Sequence, residues 1–388
     1  MFYPLATSTW DEKETEALQE VIESGMFTMG ARVREYEDAF AKKFGTEYAV
    51  MASSGSAANL LAIAATFYHP DFNMERGDEI IVPAVSWSTT YFPVSQLGFK
   101  LRFVDIDPHT LNLDLEKTKK AITDRTRGVF AVNLLGNPVH KSQLQAICDD
   151  ANILLMEDNC ESMGARCEGQ LAGTFGLFGT FSTFFAHHIC TMEGGMVVTN
   201  DRKLNDTMRS LRAHGWVRDL PSDTHLPVDP DPFVRQFRFV LPGYNLRPLE
   251  MGGATGVHQL KKLDGIVAQR RKNAEVFKNL FGGVNYLDIQ QETGESSWYG
   301  FAIVLKGHMA GRREEVVTAL AENGIERRPI MGGNFLNNPV MEHLDHSIGS
   351  EITVAEDIDK NGLYLGNSQE DMTERLQKAF EVISSVAE

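Results

Sequence analysis

At 388 residues the chain exceeds what one hydrophobic core usually absorbs, so a larger and a smaller domain are expected. Its 43% hydrophobic and 23% charged residues are ordinary for a globular protein. The formal net charge of −16 excludes a broad surface for nucleic acid or anionic lipid, but leaves room for a local cluster of donors around one phosphorylated small molecule.

The opening segment, MFYPLATSTWDEKE, carries no basic region followed by a long apolar stretch. Later apolar runs are short and interrupted, so a cytoplasmic location without a membrane partner is expected. The four cysteines, Cys148, Cys160, Cys167 and Cys190, include no C-x-x-C pair and fit no common zinc spacing. Neither disulfides nor a metal site are expected from them.

From about residue 45 to 200, strand-like and helix-like segments alternate. DEIIVPAV, LRFVDID, TRGVFAVNLLG, NILLMED and GGMVVTN are apolar and β-branched, and are predicted as buried strands. LDLEKTKKAIT and KSQLQAICDDA between them are amphipathic and predicted as helices. This alternation predicts an α/β domain with a mainly parallel sheet, whose ligands sit beyond the carboxyl ends of the strands. The Pro- and Asp-rich segment 220–233 is predicted as a loop. A long helical pattern follows, and then the strand candidates WYGFAIVLK and GIERRPIM. The expected division is a large domain over residues 1–249 and a smaller one over 250–388.

Four stretches fall where such a sheet would place a ligand. In VMASSGSAANLLAIAATF a strand meets Ser-Ser-Gly-Ser and then a helix. Ser53 or Ser54 can cap that helix, and Gly55 lets an anion approach free N–H groups at the positive end of its dipole. In VPAVSWSTTYFPV, Trp87 follows a strand and could cover a planar heterocycle or pack the interior. In NILLMEDNCESMGA, Asp158 ends an apolar strand, where it could neutralise a ring N–H⁺ or cap a helix. In FSTFFAHHICTMEGGMVVTND, small and hydroxyl residues lead past Ser182 to two histidines, then Glu-Gly-Gly and a new strand. A His-His metal pair lacks a further carboxylate or thiol at ligand spacing.

In this order the four stretches resemble the DegT/DnrJ/EryC1 family of sugar aminotransferases. The resemblance extends from YPLATSTWDEKE through MFTMGARVREYEDAFAKKFG to NGLYLGN. It implies the aspartate-aminotransferase-type fold, fold type I of the pyridoxal-phosphate (PLP) enzymes, with a mixed, mostly parallel sheet and a smaller C-terminal α+β domain. The family signature runs Ser-Phe-His-x-x-Lys-x-x-x-x-x-Glu-Gly-Gly. Counting back six from Glu193 lands on His187, and no lysine lies between Lys141 and Lys203. His187 therefore stands where the family carries its Schiff-base lysine.

Within the family the chain is similar to members that remove the C3 hydroxyl of a GDP-linked 4-keto-6-deoxymannose, which also carry histidine there. The matching stretches are DEIIVPAVSWSTTYFP, VNLLGNP, EDNCESMGA, FVLPGYNLRPLEM, GESSW and GNFL. The resemblance implies that Gly55, Ser56 and Ser182 hold a PLP phosphate and that Trp87 covers the ring. Asp158 would bind the ring nitrogen, and Asn245 would reach in from the partner of a homodimer with shared active sites. Glu161 stands where aminotransferases usually have Gln beside the ring hydroxyl; a neutral carboxyl could donate there, whereas a carboxylate could only accept. His214, Arg247 and Arg328 are candidates for substrate contacts, or for structural ion pairs.

An imidazole cannot form the imine that anchors the cofactor, but it can move protons, with an ordinary pKa of about 6.5. The expected cofactor is thus PLP, or its amino form PMP, held non-covalently, and the resemblance implies that L-glutamate reloads it. The expected reaction is loss of the sugar C3 hydroxyl, giving a 4-keto-3,6-dideoxy sugar and ammonia, with His187 as acid and base. Alternatives are a nucleotide-sugar 4-aminotransferase, an iron–sulfur-coupled CDP-sugar 3-dehydrase and a non-catalytic sugar-nucleotide binder. An iron–sulfur cluster commonly takes four cysteines, and only Cys190 follows His187.

Overall fold

The computed structural model describes residues 1–388. Strands β1 (Tyr48–Ala52), β2 (Glu79–Pro83), β3 (Lys100–Val104), β4 (Thr126–Val132) and β5 (Leu154–Asp158) alternate with helices. A hairpin of β6 (Arg166–Cys167) and β7 (Gln170–Leu171) precedes β8 (Phe178–Ser182) and β9 (Gly195–Thr199). The C-terminal part contributes β10 (Leu287–Ile289), β11 (Gly300–Leu305), β12 (Arg327–Arg328), β13 (His346–Ile348) and β14 (Gly362–Gly366).

Eight strands form one sheet in the order β1-β9-β8-β5-β4-β2-β3-β13, and four form a second in the order β10-β11-β14-β12. The large sheet is parallel from β8 through β13. Strand β9 lies antiparallel to both β8 and β1. The chain returns from β8 to β9 through a loop with no crossover helix, and such a return can only make an antiparallel pair. Because β9 reverses against both neighbours, β1 points the same way as β8. The carboxyl ends of β1, β2, β5 and β8 therefore open on one edge of the sheet.

Helices cover both faces. The helix Gly55–Phe67 is apolar on nearly all sides and packs into the largest core, with Val82, Phe130 and Val197 beneath it. The second core, under the four-stranded sheet, contains Phe277, Phe281, Trp298 and Phe301. A single helix, Glu250–Phe281, joins the two: Leu263, Ile266 and Val267 sit in a core of the large sheet, whereas Ala274, Phe277 and Phe281 sit in the second.

The chain crosses residue 250 in both directions. Tyr3 lies in the second core and donates its hydroxyl to Gly366 O at 2.6 Å. Strand β13 returns to pair with β3 at the edge of the large sheet. Of GIERRPIM only Arg327–Arg328 is a strand, since Pro329 has no N–H for a ladder and Met331 turns the chain at φ 43°. The segment 220–233 is irregular up to the single turn Pro232–Arg235, which Asp231 caps through the Phe233 N–H.

Candidate active site

A cavity of about 730 Å³ opens at the edge where those carboxyl ends meet. Gly55, Ser56, Trp87, Asp158, Glu161, Ser182, His187 and Arg328 all line it. Asn245, His214 and Arg247 do not. They form a group of their own, with Arg247 Nε donating to Asn245 Oδ1 at 3.0 Å and Ala213 bridging to Asn245.

One end of the cavity presents donors that suit an anion. Ser54, not Ser53, caps the helix Gly55–Phe67 by accepting the Ala57 N–H at 3.0 Å. Gly55 and Ser56 occupy the first turn, whose N–H groups have no intrahelical acceptor. A Cβ on Gly55 would meet Ser182 Cβ at 2.5 Å and its Oγ at 2.9 Å, so only glycine lets the two segments close here.

Across the floor, Asp158 is 6% exposed at the end of β5. Its Oδ2 accepts from Asn59 Nδ2 at 2.8 Å and Thr90 Oγ1 at 2.7 Å, and its Oδ1 from the Cys160 N–H at 3.1 Å. Three neutral donors surround this carboxylate and no protein cation does, which leaves a place for a positively charged N–H from the cavity. Trp87 bounds the same space and is 59% exposed, a large open face for a residue of its kind. An anion cradle, an aromatic face and an unneutralised carboxylate together fit the phosphate, ring and pyridinium nitrogen of PLP.

Glu161 accepts the Leu135 N–H at 2.8 Å through Oε2. Burial pushes its carboxyl up to about 8; the Leu135 hydrogen bond opposes this and the nearby Asp158 charge adds to it. At neutral pH it therefore keeps its proton and can donate, as the amide it replaces would.

His187 stands on the loop between β8 and β9. Its N–H donates to Phe184 O at 2.9 Å, and its ring centroid lies 5.3 Å from that of Tyr299. Nδ1 is buried without a protein partner, so Nε2 is the nitrogen with access to the cavity. Burial pushes the imidazole down to about 4 and the Arg270 guanidinium lowers it further, so the ring is neutral and able to accept a proton. His188 turns away: it is fully buried and its Nε2 lies 3.1 Å from Ser297 O.

Several site residues escape the motifs. Asn59 and Thr90 orient Asp158, while Tyr299, Glu326 and Tyr364 complete the cavity wall. Asn59 had a signal, as the one amide in the apolar helix GSAANLLAIAATF. Tyr364, on β14, and Tyr299, on the turn before β11, had none.

The mixed sheet, the helix N-terminus after β1 and the carboxylate at the end of β5 define an enzyme fold of the aspartate-aminotransferase type. The family model described as the DegT/DnrJ/EryC1/StrS aminotransferase family matches residues 8–386, and the chain belongs to that family. It is 56% identical over 384 residues to a GDP-4-keto-6-deoxy-D-mannose 3-dehydratase of Yersinia pseudotuberculosis, covering 98% of each chain. It is also similar to a crystal structure of GDP-4-keto-6-deoxymannose-3-dehydratase with a trapped PLP-glutamate geminal diamine, with TM-score 0.96 and 51% identity over 98% of this chain and 100% of that one. A mutant of that dehydratase with bound GDP-perosamine matches with the same score, identity and coverage.

Proposed function

We propose that the protein removes the C3 hydroxyl of a nucleotide-linked 4-keto-6-deoxy sugar, GDP-4-keto-6-deoxy-D-mannose, giving the 4-keto-3,6-dideoxy sugar and ammonia. PLP, loaded to PMP by L-glutamate, is its non-covalent cofactor. The observation that carries this reading is an imidazole at the lysine position, with its Nε2 side open to a cavity that otherwise fits PLP.

Gly55, Ser56 and Ser182 would hold the phosphate, Trp87 the ring face and Asp158 the ring nitrogen. Glu161, carrying its proton, would donate to the ring hydroxyl. When bound, the cofactor supplies an amino group for the sugar carbonyl and an electron sink for the bonds that break. His187 Nε2 takes the proton from cofactor carbon C4′ and, as imidazolium, delivers it to the oxygen leaving sugar C3. During reloading the same nitrogen moves the proton of the amino donor. With no amine at this position, the protein cannot recapture the cofactor covalently, which favours release of the deoxygenated sugar by hydrolysis over a stable amino sugar.

Arg328, at the cavity rim, suits a diphosphate or the glutamate carboxylate. Asn245, Arg247 and His214 would serve the partner subunit's site in a homodimer. The exposed Phe233, Phe237, Phe239 and Leu249 on the same segment support this, since a lone chain gains nothing from leaving them in water. No helix is long and apolar enough to cross a membrane, and a cytoplasmic location is part of the proposal.

Incubation with GDP-4-keto-6-deoxymannose, PLP and L-glutamate tests the reading. Ammonia and a C3-deoxy product are expected; a stable 4-amino sugar would overturn it.

A further inference from the structure

The second histidine of the pair is left without a task by the proposed chemistry, and its surroundings supply one. The oxygen of Ser297 can only accept, so the 3.1 Å contact places the proton of His188 on Nε2. The next two carbonyls are also held by side chains. Arg270 Nη1 donates to Tyr299 O at 3.1 Å and to Trp298 O at 3.4 Å, and Asn367 Nδ2 donates to Trp298 O at 3.0 Å.

The N–H groups of the same residues are equally committed. Ser297 N donates to Gly136 O, Trp298 N to Ser296 Oγ and Tyr299 N to Leu135 O, at 2.9, 3.0 and 3.0 Å. All six backbone polar groups of residues 297–299 are therefore fixed by partners outside a regular ladder. They hold a strained turn, because Trp298 sits at φ 49°, where a bulky residue is rare.

This turn aims Tyr299. Its ring centroid lies 5.3 Å from that of His187 and 6.1 Å from that of His188, so it packs on both imidazoles. Arg270 reaches the turn from the long helix, is 2% exposed and has no carboxylate partner. Its only recorded side-chain bonds are to these two carbonyls. An arginine committed to backbone in this way holds geometry rather than balancing charge.

We propose that His188 is a positioning residue for His187: its Nε2–H···O=C bond to Ser297, with Arg270 on the next two carbonyls, locks the Trp298–Tyr299 turn that fixes the His187 ring toward the cavity. The bond also ties the loop after β8 to the segment just before β11, alongside the Ser297–Gly136 and Tyr299–Leu135 backbone bonds. This rests on His187 being the acid and base of the proposed reaction, but the geometry can be tested without that reaction.

Two variants separate the parts of His188. His188→Phe keeps a ring against Tyr299 and loses the donor. His188→Gln loses the ring and keeps a donor near the same place. In ¹⁵N-histidine-labelled protein without cofactor, the wild-type His188 should show the Nε2–H tautomer. The His187 resonances, assigned by their loss in His187→Asn, should be single and sharp. They should broaden or split in His188→Phe and return in His188→Gln. With GDP-4-keto-6-deoxymannose, His188→Phe should lower kcat roughly 10–100-fold with little change in KM, and His188→Gln should restore most of it. Unchanged His187 signals and unchanged kcat in His188→Phe would overturn the inference while leaving the proposed reaction intact. Absence of deoxygenation in the wild type would overturn the reaction, and the resonance data would still decide the positioning role. Should His188→Phe fail to fold, His188→Leu takes its place: scattered His187 signals that return in His188→Gln support the inference, and unchanged signals contradict it.

Discussion

Leu135 donates its N–H to Glu161 Oε2 at 2.8 Å from a turn in which its own φ is 54°, so strained backbone is fixed against the one cavity carboxyl that burial keeps protonated. The ordinary carboxyl value is 4.5 and the buried one about 8. Between these limits the folded chain holds a proton that the unfolded chain has released. Stability contributed by this group therefore falls as pH rises through that window. Glu161→Gln has no proton to lose. The Tm of the cofactor-free variant relative to wild type is expected to climb between about pH 5 and pH 8. A pH-independent difference would contradict a protonated Glu161.

The two histidines act in the opposite direction. His187 is held at about 4, against an ordinary 6.5, chiefly by burial. As pH drops through that interval the unfolded chain takes up a proton that the folded chain refuses, so stability is lost toward acid. His188 is pushed the same way, again first by burial. His187→Asn removes one of the two groups, and thermal melts of the cofactor-free protein should show a shallower loss of Tm across this range than wild type.

Gly55→Ala tests the anion cradle. The backbone there can accept alanine, but the added Cβ falls 2.5 Å from Ser182 Cβ, and overpacking of this kind typically costs about 1–3 kcal/mol. The displaced segment is the one proposed to hold phosphate. An absorbance titration with PLP should show affinity weakened roughly tenfold or more, with the far-ultraviolet circular dichroism unchanged.

Asp158→Asn keeps the size of the side chain and removes its charge. Thr90 and Asn59 would still face an amide oxygen, so the fold should tolerate the change. A pyridinium nitrogen would lose its counter-charge. The rate of the glutamate half-reaction, followed by bleaching of the yellow form, should fall by about 10²-fold or more. A rate within a few-fold of wild type would contradict the role of Asp158.

Much of this site was legible because the relevant residues lie just past apolar runs. Asp158 closes LLMED, Ser182 closes FGTFS and Ser54-Gly55 follows YAVMA, so the end of each strand delivers its residue to one edge. The antiparallel insertion of β9 was not legible, since a buried apolar strand has the same pattern in either direction. Nor was the return of β13 to the large sheet, a pairing of three residues about 245 positions away from its partner in sequence. Counting from Glu193 separated His187 from His188 along the chain. The surroundings of His188 were not legible, because Ser297, Arg270 and Tyr299 come together only in the folded chain.

Everything proposed for the reaction depends on PLP being held without a covalent tether, beside an imidazole that cannot form one. Borohydride treatment of the PLP-loaded protein followed by intact-mass spectrometry tests this directly. The mass of the unmodified chain is expected, with the reduced cofactor lost on denaturation. A chain heavier by one pyridoxyl group, mapped to a lysine, would contradict the account.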